Sequence, residues 1–204
     1  MKRRKQTGKA RVVASAQLPT RFGQFTILGI EGSLPGEEAV AIQHGQLRRG
    51  RSALVRIHSQ CLTGDVFTSQ RCDCRAQLEF SLRKIAKDAS GVVLYLPQEG
   101  RGIGLLNKLK AYELQDQGLD TVEANRRLGF AADSRDYDFA AAALKALGAR
   151  SVRLLSNNPD KVRQLEREGI RVVQRVPCRP PTSHHSRAYL RTKKEKLGHL
   201  LAGL

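Results

Sequence analysis

Three cysteines in the arrangement Cys61-x10-Cys72-Asp73-Cys74 have the types and spacing to hold a soft tetrahedral metal such as zinc. Two thiolates one residue apart can grip one side of an ion, and a short loop returns the third. Structural zinc sites close with four protein ligands, whereas catalytic sites keep one position for water, so three thiolates point to chemistry rather than structure. The other reading is a pair of core cysteines with a chance third, because unpaired Cys packs as a small hydrophobe. Cys178 lies far downstream and stands outside the cluster. His58, three residues before Cys61, is either a fourth ligand or an ordinary strand histidine.

Two turns have the character of anion sites. Gln98-Glu-Gly-Arg-Gly-Ile-Gly104 fails the dinucleotide pattern G-x-G-x-x-G, because position 105 is Leu, and no Gly-Lys-Ser/Thr follows. What remains is a glycine-rich turn carrying Glu99, Gly100 and Arg101. Its backbone amides and Arg suit phosphate, and its carboxylate suits the paired N–H donors of a guanine edge. A tight turn with a surface ion pair would read the same way. In Ser156-Asn-Asn-Pro-Asp-Lys161, Asn158 caps a helix, Pro159 takes its first position, and Lys161 adds a cation where free N–H groups already favour an anion. Asp133, in Asp133-Ser-Arg135-Asp136, has the profile of a general base if it lies near the metal. Tyr112 shares a helical face with Leu105 and Leu109 and reads as a core tyrosine.

Short strands are expected over 11–17, 24–30, 39–43 and 53–58, each bounded by Pro, Gly or charged turn residues. They form an antiparallel β region whose last strand runs into Cys61. From Ala76 the apolar period becomes helical through Leu78, Leu82 and Ile85. The strand 91–96 and helices over 103–117, 121–128 and 138–147 follow. A strand at 153–156, a helix at 159–168, a strand at 170–173 and a basic helix from about 186 complete the chain. Strand–helix alternation over 76–175 implies βαβ units, so the fold class is α/β (α+β), with the N-terminal β region packed on these units and a C-terminal helix.

The 204 residues suffice for one core, and no apolar run approaches the ~20 residues of a membrane span. Residues 1–11 carry six Lys and Arg and no acid, and read as a disordered arm. The whole chain has 36 Lys and Arg against 19 Asp and Glu, a net charge of +17, so the partner is a polyanion. Aromatics at 5 %, with no Trp, offer little for base stacking, which favours a phosphorylated small molecule over nucleic acid. Clustered free thiols imply a reducing compartment, the cytoplasm.

The blocks Arg56-Ile-His-Ser-Gln-Cys-Leu-Thr-Gly-Asp65, Gln70-Arg-Cys-Asp-Cys-Arg-Ala-Gln77, Gln98–Lys108 and Ala111–Gly118 resemble GTP cyclohydrolase II. So do Asp120–Asn125, Leu128–Asp133, Leu154–Pro159 and the ending through His199, in family order from about residue 12. The resemblance implies one catalytic domain over 12–204 and a zinc enzyme that opens the guanine ring of GTP. Formate and pyrophosphate would leave, giving a diaminopyrimidine for riboflavin synthesis. By position, Cys61, Cys72 and Cys74 would bind zinc, Tyr112 and Asp133 would support hydrolysis, and Arg135 would take up a guanylyl group or bind phosphate. Arg56, Ile57, His58, Ser59, Gln60, Gln77, Glu99, Gly100, Arg101, Thr121, Ser156 and Lys161 would line the GTP site. Mg²⁺ would accompany the triphosphate, and the family is homodimeric.

Gln60 stands where the family has Glu, Arg75 where it has Gly, and Ser156 where it has Thr. These departures leave open a paralogue that stops at the formamidopyrimidine stage or serves a specialised pathway. A reading of a different class is a basic, zinc-stabilised nucleic-acid-binding protein that grips phosphates with residues 1–11 and 187–196.

Overall fold

The computed structural model describes residues 8–47, 50–180 and 187–201. Strands β1 (Ala10–Thr20), β2 (Gly23–Gly32) and β3 (Glu38–His44) form an antiparallel meander. Strands β4 (Ala53–Ser59), β5 (Gly91–Leu96), β6 (Ser151–Leu155) and β7 (Arg171–Val176) run parallel to one another. All seven share one sheet in the order β1-β2-β3-β5-β4-β6-β7, joined at an antiparallel β3–β5 seam.

β4 therefore departs from the sequence reading: it belongs to the parallel half, not to the antiparallel region. Its strand character is local, but its partner is decided by α2 (Cys74–Ala86), which carries the chain back so that β5 enters alongside it. The remaining helices are α1 (Leu62–Asp65), α3 (Leu105–Asp116), α4 (Thr121–Arg127), α5 (Asp138–Ala146), α6 (Pro159–Arg167) and α7 (Arg187–Leu197). The expected elements are thus present with ends moved by a few residues. Ala10 and Arg11, read as arm, open β1; residues 1–7 lie outside the described residues.

Alternation along the strands sends side chains to two cores. Val55, Ile57, Leu94 and Leu154 pack with Leu144 of α5 and Leu165 of α6, while Leu54, Val93 and Leu155 pack with Leu82 and Ile85 of α2. Each fully buried aliphatic contributes about 1.5–3 kcal/mol. Helices on both faces explain why six of the seven residues of β4 are buried, Arg56 and His58 included. β5 lies on one side of β4 and β6 on the other, so the connections diverge there. Ligands of open parallel sheets bind outside the carboxyl ends of strands at such a point. The loops after β4, β5 and β6 are those that carry the cysteines, Glu99–Arg101 and Ser156–Lys161.

Candidate active site

The metal-type cluster is assembled by two short pieces of chain. Cys61 ends the β4 exit, and α1 turns the loop so that Cys72 and Cys74, at the start of α2, face it. One ligand sulfur from each of the three lies within 4.8 Å of the others, and the Cys61 and Cys72 sulfurs are 3.7 Å apart. Two sulfurs held ~2.3 Å from one tetrahedral ion would be about 3.8 Å apart, so the donor set fits zinc. Hydrogen bonds from Cys72 and Cys74 draw the Cys61 thiol far below its ordinary range, while sharing that one ionisation pushes Cys72 and Cys74 up. A dication among the sulfurs would relieve the competition by letting all three ionise.

Gly64 closes the cradle. A Cβ there would sit 2.8 Å from the Cys72 sulfur and 3.1 Å from that of Cys61. Gly64→Ala is therefore expected to spread the sulfurs and weaken zinc binding by at least about tenfold, as misplaced supporting groups do. Competition against a chromophoric chelator measures this, and wild-type affinity in the variant would show that the sulfurs have room to spare.

His58 is no part of that cluster. Its Nε2 lies 3.0 Å from Asp65 Oδ2, which also accepts from the Tyr95 hydroxyl at 2.9 Å and the Cys61 N–H at 3.0 Å. Asp65, which sequence reasoning missed, thereby ties β4, β5 and the cysteine loop together. Burial, only partly offset by Asp65, lowers the His58 pKa, so the ring is neutral at physiological pH and its Nδ1 is a lone-pair acceptor.

The glycine turn after β5 is a short 3₁₀ segment, Glu99–Gly102, in which Gly100 and Arg101 are left-handed at φ 60° and 62°. A Cβ on Gly100 would press on Ile103 and Lys108 at 3.0 and 3.1 Å. Glu99 points inward rather than at solvent. Its oxygens accept from Lys108 Nζ at 2.7 Å, Leu62 N–H at 2.6 Å and Gly100 N–H at 3.0 Å. Reading a guanine edge with Glu99 would require exchanging some of these partners.

Around the third loop, Lys161 is buried at 5 % exposure, donating to the Ile57 carbonyl at 2.8 Å and lying 5.0 Å from the Tyr137 ring centroid. Burial first, then Arg56 and Arg135, hold its pKa well below that of a free lysine. Asn158 caps α6 through Asp160 N–H as expected, and the Ser156 hydroxyl accepts from Asn158 N–H at 3.0 Å. Arg135 is gripped by Asp133 through Nε at 2.8 Å and Nη2 at 2.5 Å. Burial works against both charges, but the paired hydrogen bonds prevail: Asp133 falls below the usual carboxylate range and the guanidinium rises further.

One cleft of about 1160 Å³, counting its open mouth, joins these loops. Of the residues expected to act, all line it except Ile57, a core residue that offers its carbonyl to Lys161, and Asp133, which reaches it only through Arg135. Tyr112 departs from the core reading. It is half-buried in the cleft wall with its hydroxyl 3.1 Å from Thr63 Oγ1, while Leu109 on the same helix is 43 % exposed. Arg75 points to Glu79 at 3.0 Å and does not line the cleft. Cys178 is a core cysteine.

Asn157 and Asn158 line the cleft within the segment expected to bind an anion, whereas sequence reasoning missed Lys108 and the closing contribution of the C-terminal segment. Tyr189, Lys193, His199 and Leu201 cover the cleft; Lys193 is paired with buried Asp73 at 2.8 Å, and Leu200 N–H donates to the Asn157 carbonyl. Among the described residues, seven Arg and Lys line the cleft against one carboxylate, Glu99. Arg56 Nε and Arg101 Nη2 are buried donors without a partner, and His58 Nδ1 is a buried acceptor without one. Orphaned buried polar groups are rare, and these three belong to residues that line the cleft.

Residues 10–177 match the family model described as GTP cyclohydrolase II. A GTP cyclohydrolase-2 of Pseudomonas putida is 54 % identical over 189 residues, covering 93 % of this chain and 92 % of its own length. The same figure, 54 % over 192 residues, holds for a GTP cyclohydrolase-2 of Azotobacter vinelandii, with 94 % and 92 % covered. The riboflavin biosynthesis protein RibBA of Bacillus cereus is 53 % identical over 92 % of this chain, which spans only 47 % of that longer protein. With the cysteine cluster and the cation-lined cleft in the places the motifs require, the chain belongs to the GTP cyclohydrolase II family.

Proposed function

We propose that this protein hydrolyses GTP, opens the guanine imidazole ring and releases formate and pyrophosphate. The product is 2,5-diamino-6-hydroxy-4-(5-phosphoribosylamino)pyrimidine, and the reaction is the first step of riboflavin biosynthesis. The observation that carries the reading is that three clustered sulfurs and a cleft with seven cations and one carboxylate share a single cavity. Few ligands need both a soft metal and a strong anion site; a nucleoside triphosphate attacked on its base is one.

Zinc held by Cys61, Cys72 and Cys74 would supply Lewis acidity toward water and the base. The chain's own groups account for the rest. Arg56 Nε and Arg101 Nη2 are donors without acceptors, and Lys161 has no carboxylate partner among the described residues. Together with Arg135 they suit a tetra-anionic triphosphate. Glu99 is already engaged by Lys108, so Mg²⁺ would enter on the phosphate oxygens rather than on a protein carboxylate. Burial raises the Tyr112 pKa, so its phenol stays protonated beside the cysteine loop and can donate to the oxygen that develops at C8. His58 Nδ1 is fitted to accept from a substrate N–H or hydroxyl. The stoichiometry needs one water to add at C8 and open the ring, a second to cleave the formamide, and a third to release pyrophosphate.

Arg135 is read as a phosphate clamp set by Asp133, because a guanidinium locked in a bidentate ion pair is a poor nucleophile. Four unpaired cysteines suit the cytoplasm. No described helix is long and apolar enough to cross a membrane. Exposed Val66, Phe67, Leu106 and Leu109 support a homodimer. Zinc-loaded protein given GTP and Mg²⁺ is expected to yield formate and pyrophosphate in equal amounts, with the diaminopyrimidine mass in the product. Pyrophosphate without formate would point to a paralogue that stops early, and neither product would refute the reading.

A further inference from the structure

Lys108 lines the same cleft but is already engaged by Glu99 and the cysteine cluster, and it is one of the most enclosed cations among the described residues, 8 % exposed on α3. Its Nζ lies 3.2 Å from Cys61 Sγ and 2.7 Å from Glu99 Oε1. Glu99 in turn holds the Leu62 N–H, the first amide of the helix that follows Cys61, at 2.6 Å. The ammonium and the carboxylate thus brace Cys61 from its side chain and from its backbone neighbour. Holding a cation this deep is costly, and packing alone would be served as well by an apolar chain of equal length.

The charge of the cluster supplies a reason. Three thiolates around a dication leave a net negative charge and strong sulfur donation, which makes a weak Lewis acid. An ammonium donating to one sulfur draws electron density from it, while Glu99 answers the ammonium's own charge, so the effect acts through the hydrogen bond to Cys61. We propose that Lys108 is a positioning residue that, through its hydrogen bond to the Cys61 sulfur, weakens that sulfur's donation and so sharpens the Lewis acidity of the metal centre. This rests on the zinc reading given above.

Cobalt-loaded protein tests it without reference to turnover. The sulfur-to-cobalt charge-transfer band moves to lower energy when a thiolate loses a hydrogen-bond donor. Lys108→Met is expected to take up one cobalt with that band shifted to the red, and Lys108→Arg to bring it back toward the wild-type position. With zinc, Lys108→Met should lower kcat by about 10–100-fold, the range seen when groups supporting metal ligands are removed, with KM for GTP within about twofold. A band in Lys108→Met that superimposes on wild type would overturn the proposal. So would a folded Lys108→Met protein, judged by circular dichroism, that takes up no cobalt, because the residue would then be holding the site together rather than tuning it. If the methionine variant does not fold, Lys108→Gln is read by the same criteria. Wild type without any such band would instead defeat the metal reading itself, and this proposal with it.

Discussion

Replacing Cys72 with serine is expected to empty the metal site and lower formate release by at least about 10³-fold, while the fold survives. Each sulfur supplies a third of the donor set, and a hydroxyl at neutral pH replaces a soft anionic ligand with a hard neutral one. The loss follows from the several kcal/mol that a metal contributes as a Lewis acid, at about 1.4 kcal/mol per factor of ten. Cys72 belongs to neither hydrophobic core, so circular dichroism and thermal unfolding should change little beyond the stabilisation that bound metal itself gives. The checks are metal content by mass spectrometry and formate by coupled assay. Undiminished turnover in metal-free protein would remove the cysteine cluster from the chemistry.

The second large effect is expected at Arg135. Arg135→Lys keeps the charge but loses the fork that meets Asp133 through Nε and Nη2, and its Nη1 contact to the Ser59 hydroxyl at 3.4 Å. The clamp reading expects kcat/KM to fall by about 10²-fold, the scale of disturbing a buried charged contact, about 2–5 kcal/mol. It also expects no nucleotide to remain attached to wild-type protein after an acid quench with labelled GTP. A guanylyl group recovered on Arg135 would establish it as the nucleophile, and the Asp133 pair would then have to break during turnover.

Much of this was legible in the sequence, for physical reasons that differ by region. Period-2 and period-3.6 patterns are local, so the strands and helices could be read with their caps, Asn158 and Pro159 among them. The cysteine cluster was legible because metal geometry constrains spacing within a short segment. Strand partnership is not local, and β4 shows it: nothing within Ala53–Ser59 says that β5 will enter between it and β3. Lys108 illustrates a second blind spot. On a helix bearing exposed Lys110 and Glu113, one more lysine reads as a solvated charge, and its burial follows from where Glu99 and Cys61 arrive. Asp65 carries no local signal of its role, because its three partners come from two strands and the Cys61 amide. Tyr112 was read as core because Leu105 and Leu109 share its face, yet that face turns toward the cysteine loop.

The closing role of the C-terminal segment was hidden for a similar reason. α7 is a basic helix with charge on most of its surface, which resembles an arm for a nucleic acid. In the structure Lys193 reaches buried Asp73 between two of the cysteines, and Lys196 binds Asp120 and Glu123 at the cap of α4. Part of the positive charge is thereby spent inside the molecule.

GTP labelled with ¹³C at C8 alone tests the account most directly. Followed by NMR over zinc-loaded protein with Mg²⁺, the label should pass from the imidazole carbon into free formate, and it should stay in the ring when the Cys72→Ser protein is used. Consumption of GTP with the label still in an intact guanine would place the chemistry at the phosphates only and contradict the account.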